Sequence, residues 1–252
     1  MAFIDSYNES LRVYRWKGST WAQVGSGLTI SGAGQGALAA LNSTDVAFID
    51  GTNDSLRVYR WDGSTWTQLG SGLTISGAGI PALTALNSTD VAFIDGFNDS
   101  LRVYRWDGST WTQVGSGLSI SGIGYPALVA LNGTDVASID SGTNSLRVYR
   151  WNGSTWTQLG SGLTISGVSY PALAALNSTD VAFIDSWNES LRVYRWNGSS
   201  WVQVGLAGSI SLSGGIPALA AMNGTDVAFI DSGTKSLRMY RFGFSLATPY
   251  HP

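Results

Sequence analysis

Val46-Ala-Phe-Ile-Asp50-Gly-Thr-Asn-Asp-Ser-Leu56-Arg-Val-Tyr-Arg-Trp61 opens a 45-residue stretch, Val46–Asp90, that returns as Val91–Asp135 with 38 of 45 positions identical. The hexapeptide Leu-Arg-Val-Tyr-Arg-Trp starts at Leu11, Leu56, Leu101, Leu146 and Leu191, and a variant, Leu237-Arg-Met-Tyr-Arg-Phe242, follows one residue late. A fixed period of this length marks a repeat architecture in which each unit is too small to bury its own faces and must stack on its neighbours. Residues 1–252 then form a single domain, with units of approximately 1–36, 37–81, 82–126, 127–171, 172–217 and 218–252. Near-identity of the copies points to recent amplification or to design.

Within one unit, Val46–Asp50 and Ser55–Trp61 read as strands rich in β-formers. Gly51-Thr-Asn-Asp54 joins them with turn chemistry. Asp62-Gly63-Ser-Thr65 is a second turn, leading to a third strand, Trp66-Thr-Gln-Leu-Gly70. A Gly/Ser-rich stretch from Ser71 to Ile80 follows. Pro81-Ala-Leu-Thr-Ala-Leu86 is too short for an ordinary helix before the Asn87–Asp90 turn and reads as a strand of small residues. Four antiparallel strands per unit, here lettered A (PALTAL), B (VAFID), C (LRVYRW) and D (WTQLG), make the chain all-β and predict a β-propeller, with a β-solenoid as the rival.

Strands A and D each occur five times, B and C six times. Six blades with an incomplete first and last is the leading count. Five blades is the alternative, leaving a spare hairpin over Val227–Phe242. At the seam, Phe244–Tyr250 is a candidate closing strand, and an open strand edge predicts self-association of an otherwise monomeric protein.

Composition narrows the function. Charged residues make up 12% of the chain and net charge is −3. Twelve of the fourteen basic residues are the paired repeat arginines, so no basic stripe is left for nucleic acid. Cysteine is absent, which excludes a disulfide scaffold and a thiolate metal site. No apolar run reaches the length of a membrane helix. The opening Met1-Ala-Phe-Ile reads as strand rather than as a signal peptide, which suggests a cut inside a repeat. His251 stands alone in the tail, and Asp50-x-x-Asn53-Asp54 lacks the spacing of a calcium loop, so neither a metal nor another cofactor is expected.

The strand-B acid (Asp5, Asp50, Asp95, Asp140, Asp185, Asp231) and the two strand-C arginines recur in all six hairpins. A charge covered by neighbouring blades must be paired, so a repeated structural network is expected rather than a catalytic acid. The tryptophans flanking the C–D turn are expected to pack between blades with their N–H groups partnered. The Asn-Ser-Thr and Asn-Gly-Thr segments match the glycosylation pattern but read as turns capping the A–B connection. Differences between copies cluster in the B–C turn and the D–A loop, which an up-and-down blade puts on one rim. Tyr7, Phe97, Tyr125, Tyr170 and Trp187 fall there, and aromatics on loops of a rigid scaffold signal a binding surface.

The hairpin VAFID…LRVYRWDGSTW resembles a bacterial class of highly repetitive propeller domains over the whole chain. Strand C is also similar to the IRVYY-type strand of fungal fucose-binding lectins, six-bladed propellers with sugar sites between blades. That resemblance implies a sugar-contacting arginine at Arg12, Arg57, Arg102, Arg147, Arg192 and Arg238. The family's acid, about a dozen residues on, is replaced here by an apolar residue, Leu69 in the second unit. Together these readings make the expected function non-enzymatic, multivalent glycan recognition in inter-blade grooves, with a ligand-free structural repeat as the alternative.

Overall fold

Every hairpin that the sequence announces is formed, and the hairpins stack side by side as blades. The structure is a computed structural model and describes residues 2–5, 8–30, 36–50, 53–75, 81–95, 98–120, 124–140, 142–165, 171–185, 188–205, 208–210, 218–231 and 236–242. The closing-strand candidate, Phe244–Tyr250, lies outside these residues. The described strands are all β and form six antiparallel sheets. No helix is long and apolar enough to cross a membrane.

The second sheet is typical, running A (Gly36–Ala40), B (Asp45–Asp50), C (Ser55–Trp61), D (Trp66–Thr74). The third to fifth sheets have the same order. The first has only B, C and D (Ala2–Asp5, Ser10–Trp16, Trp21–Thr29), and the sixth only A, B and C (Ala218–Ala221, Asp226–Asp231, Ser236–Arg241). Inner and outer strands each occur five times among the described residues, so the structure corrects the leading count of six to the alternative of five blades, with the first and sixth sheets each incomplete.

Pro81–Leu86 is a strand, as its length and small residues required: Ala82–Ala85 pairs with Val91–Ile94. Strand D, in contrast, is longer than its sequence suggests. Trp61 pairs Trp66 and Val58 pairs Leu69, then the register slips and Leu56 pairs Leu73. The slip is a β-bulge at Gly70, whose φ of 59° puts it in the left-handed region that favours glycine. The Gly/Ser-rich run that reads as loop is therefore strand as far as Thr74, and Ile75 then bonds back to the Asp54 carbonyl at 2.7 Å.

The core lies between sheets. Ala47, Ile49 and Leu56 of the second sheet meet Leu83, Val91 and Phe93 of the third. The fourth and fifth repeat this with Ala137, Ile139 and Leu146 against Leu173, Val181 and Phe183. Phe48, Phe93, Phe183 and Phe229 are fully buried, each contributing roughly 1.5–3 kcal/mol through its removal from water. The tryptophans flanking each C–D turn stack at a tilt, with centroids 5.3 Å apart for Trp61 and Trp66. Their expected N–H pairing is not met at Trp66, Trp111, Trp156 and Trp201, whose buried Nε1 atoms have no hydrogen-bond partner. Apolar packing between blades fixes these rings, as for Trp106 and Trp111 in the core between the second and third sheets.

Candidate functional site

The repeated acids and arginines form two separate networks, one at each end of the blade. At the A–B end, Asn42 Oδ1 accepts the Thr44 and Asp45 amides at 2.8 Å each, so the Asn-Ser-Thr segment does cap its turn. Arg60 Nε and Nη2 bind the two Asp45 oxygens at 2.7 Å each. The same fork joins Arg105 to Asp90, Arg150 to Asp135, Arg195 to Asp180 and Arg241 to Asp226. The Arg60 bonds, helped by those from Asn42 and Thr44, hold the Asp45 carboxyl below the usual carboxylate range against the opposing pull of burial. Each guanidinium in these forks is about half exposed or more, yet each carboxylate is covered. Bidentate geometry with both acid oxygens used makes this network structural.

The B–C end is different, because there the arginine is incompletely engaged. Asp50 is fully buried. Its Oδ1 accepts the Asn53 amide at 3.0 Å and its Oδ2 accepts Asn53 Nδ2 at 2.7 Å. Arg57 Nη2 stands 3.7 Å from the same carboxylate, with its side chain 21% exposed. The equivalent pairs are Arg102–Asp95 at 3.3 Å and Arg192–Asp185 at 3.6 Å. Arg102 and Arg192 are each steadied through Nε by a serine hydroxyl two residues earlier, at 3.0 and 3.1 Å. Asp54, the next turn residue, has a φ of 48°, which turns the backbone sharply into strand C. The Ile75-to-Asp54 bond ties the start of the D–A loop to the B–C turn. Both variable connections therefore share one rim.

This arrangement explains the apolar residue at the position where the lectin resemblance places an acid. Leu69 pairs with Val58 and packs in the core between the second and third sheets. The carboxylate beside Arg57, Arg102 and Arg192 comes instead from strand B of the same hairpin.

The fourth sheet departs from its siblings. Ser138 occupies the place that Phe48, Phe93 and Phe183 fill elsewhere, and it is buried. A small pocket of about 10 Å³ opens there, between the third and fourth sheets. Ile94, Ile120 and Pro126 make its apolar wall, and Ser138, Asp140, Arg147 and Tyr149 its polar side. Asp140 binds the Gly142 amide at 2.8 Å and the Thr143 hydroxyl at 2.7 Å. Arg147 reaches Thr143 Oγ1 at 3.4 Å. Thr143 thus stands where Asn53, Asn98 and Asn188 bind the acid in their sheets, and Arg147 reaches the turn hydroxyl.

Of the rim aromatics, Tyr125 is exposed (39%) beside Pro126 of that pocket. Tyr7, Phe97, Tyr170 and Trp187 lie outside the described residues. Sequence reasoning missed Ser138, although its signal is plain: it is the one break in the VAFID pattern. It also missed Asn53 and its equivalents as partners of the buried acid. Among the described residues no group of three or more His, Asp or Glu could hold a metal ion.

No protein-family model matches the chain, and no curated protein matches it either. Solved structures do. The fungal lectin of Aleuria aurantia, a six-bladed β-propeller described with a fucose recognition mode, superposes with a TM-score of 0.64 at 19% identity, covering 97% of this chain and 87% of the lectin. The chain shares the fold of these propeller lectins. SapL1 lectin, solved in complex with α-methyl fucoside, gives a TM-score of 0.61 at 18% identity, over 96% of this chain and 91% of its own. A Bacteroides thetaiotaomicron protein of unknown function gives a TM-score of 0.65 at 14% identity, covering 94% and 68%.

Proposed function

We propose that the protein is a non-enzymatic carbohydrate-binding propeller with several related sites in the inter-blade grooves of the B–C rim. The observation that carries this reading is the partly exposed arginine beside a buried carboxylate, repeated from blade to blade. Arginine donates to sugar hydroxyls, and the carboxylate fixes its plane without neutralising it through a full fork. Rim aromatics and the apolar groove wall suit the C–H face of a sugar ring. The groove between the third and fourth sheets is one candidate, with Arg147, Asp140 and Tyr149 lining its small pocket and Tyr125 exposed next to Pro126. Arg57, Arg102 and Arg192 with Tyr7, Phe97, Tyr170 and Trp187 complete the candidate set. Shared fold with the fucose-binding lectins supports a sugar over another ligand. Linked weak sites on one rigid ring would act through avidity.

A glycan array probed with fluorescent, multivalently displayed protein tests this. One sugar class should stand above background, and Arg147→Ala should lower the signal. A flat array from well-folded protein leaves the ligand-free structural repeat as the function. The complete internal pairing of the A–B-end network favours that second reading only for that end of the blade.

A further inference from the structure

We infer that the groove between the third and fourth sheets differs in specificity from its siblings, and that it selects a saccharide carrying an exocyclic hydroxymethyl group. Such selectivity rests on the glycan reading and narrows it for this one groove. Ser138 is decisive, because the B–C register sets it directly opposite Arg147. In the second, third and fifth sheets the residue opposite the candidate arginine is Phe48, Phe93 or Phe183, each fully buried. A phenyl ring takes up the depth beside the guanidinium in those grooves. Beside Arg147 the pocket of about 10 Å³ has room for about one hydroxyl oxygen.

A second change, Thr143 in place of asparagine, releases the arginine. In the third and fifth sheets the guanidinium is held on two sides. Arg102 and Arg192 donate through Nε to Ser100 and Ser190 at 3.0 and 3.1 Å, and turn Nη2 to Asp95 and Asp185 at 3.3 and 3.6 Å. In the fourth sheet Ser145 meets Thr143 Oγ1 instead, at 2.7 Å. Thr143 gives its single proton to Asp140 Oδ2, so Ser145 is the donor of that pair. Among the described residues the one polar side-chain contact of Arg147 is Nη2 to the same Thr143 oxygen, at 3.4 Å. Its Nε is therefore available at the pocket. Asp140 is nearly spent. A carboxylate offers about four acceptor positions, and three are taken, by the Gly142 amide at 2.8 Å, the Thr143 amide at 3.4 Å and the Thr143 hydroxyl at 2.7 Å.

The pocket thus sets one remaining acceptor, on Asp140, beside a donor, on Arg147. A hydroxyl satisfies both at once. A carboxylate or sulfate would meet the Asp140 charge, and an ammonium would meet that of Arg147. The facing wall, Ile94, Ile120 and Pro126, is apolar and suits the methylene carbon that bears the hydroxyl. In a saccharide this combination is the hydroxymethyl group of a hexopyranose. Pentopyranoses lack the whole group, and 6-deoxy sugars lack its oxygen. A site built to bond a hydroxyl rejects the analogue without one, because its covered polar groups are then left unpaired.

The experiment uses the full chain with methyl D-glucoside, D-galactoside and D-mannoside, each beside its 6-deoxy analogue. Affinity and stoichiometry are read by titration calorimetry, and the place of binding by amide hydrogen exchange. At one site per chain, a hexoside should bind more tightly than its 6-deoxy analogue by about ten-fold or more. It should also slow exchange over Ser138–Tyr149. Ser138→Phe should abolish this preference while binding at the other grooves persists, and Ser138→Val, a smaller filling, should do the same. Equal binding of hexoside and 6-deoxy analogue would overturn the inference and leave the glycan reading standing. So would a preference that survives both substitutions, or failure of every hexoside when the glycan array does show a bound sugar. A flat array from folded protein would overturn the glycan reading and this selectivity with it.

Discussion

Ser138→Phe restores the aromatic that the second, third, fifth and sixth sheets carry, and its effect can be worked from the structure. Phe48, Phe93 and Phe183 are fully buried in their junctions. Burying such a ring is worth roughly 1.5–3 kcal/mol. The pocket left beside Ser138 has room for about one water, so most of the ring's volume has been taken up by neighbours that must move back. With overpacking costing of the order of 1 kcal/mol at its lower end, the net gain should be about 0.5–2 kcal/mol. The reciprocal change, Phe93→Ser, should cost about 4 kcal/mol or more, since Phe→Ala alone costs roughly 3–5 kcal/mol and a buried hydroxyl adds to it. Guanidinium chloride unfolding reads both, as shifts in midpoint at unchanged slope. Ser138→Phe should also close the groove lined by Arg147 and weaken sugar binding there while the protein becomes more stable. A destabilisation by Ser138→Phe of more than about 1 kcal/mol would refute the view that the pocket is the space of a missing ring.

Other expectations follow from the two networks and the bulge. Asp95→Ala should destabilise by about 1.5–3 kcal/mol, because it removes the buried acceptor of two Asn98 hydrogen bonds and the partner of the Arg102 charge; a neutral result in denaturant melts would reopen a functional role for the acid. The folded-state carboxyls of Asp45, Asp90, Asp135, Asp180 and Asp226 are depressed, first of all by their arginine partners. Their contribution is therefore fully present above the unfolded carboxylate value of about 3.9 and is lost as pH falls through the lower folded values. Stability measured by melting should be flat from neutral pH to about 5 and drop below about 4, and the drop should be smaller in Arg105→Met than in the parent. Gly70→Ala should cost more than about 3 kcal/mol, since a Cβ there would meet the Ser109 carbonyl and the Trp106 ring, whereas a Cβ at Gly63 meets nothing within 4 Å. An unchanged midpoint for Gly70→Ala would contradict the packing of this bulge against the next blade's C–D turn.

The architecture was legible because the period, the alternation in Ser55–Trp61 and the turn residues all pointed one way. Where the reading fell short, local composition competed with tertiary context. Ser71-Gly-Leu-Thr74 looks like loop because glycine and serine favour turns, but a single left-handed glycine, Gly70, lets the ladder slip and continue. The pairing of strand-C arginines with acids was expected, but their division into a full fork at Asp45 and a loose contact at Asp50 depends on distances that spacing does not encode. Leu69 could be seen to differ from the lectin pattern. That Asp50 takes over beside Arg57 required the B–C register, which sets Phe48 opposite Arg57 and Asp50 opposite Ser55. The seam was foreseeable from strand counts, because strands A and D each occur once fewer than B and C.

The central claim is that the rim carries several related sugar sites, each built on a strand-C arginine. Isothermal titration calorimetry with the sugar class selected on the array tests it most directly. More than one sugar should bind per chain, and Arg147→Ala should remove part of that stoichiometry while leaving the melting temperature unchanged. A single site per chain, or binding unaffected by changes at Arg57, Arg102, Arg147 and Arg192, would contradict it.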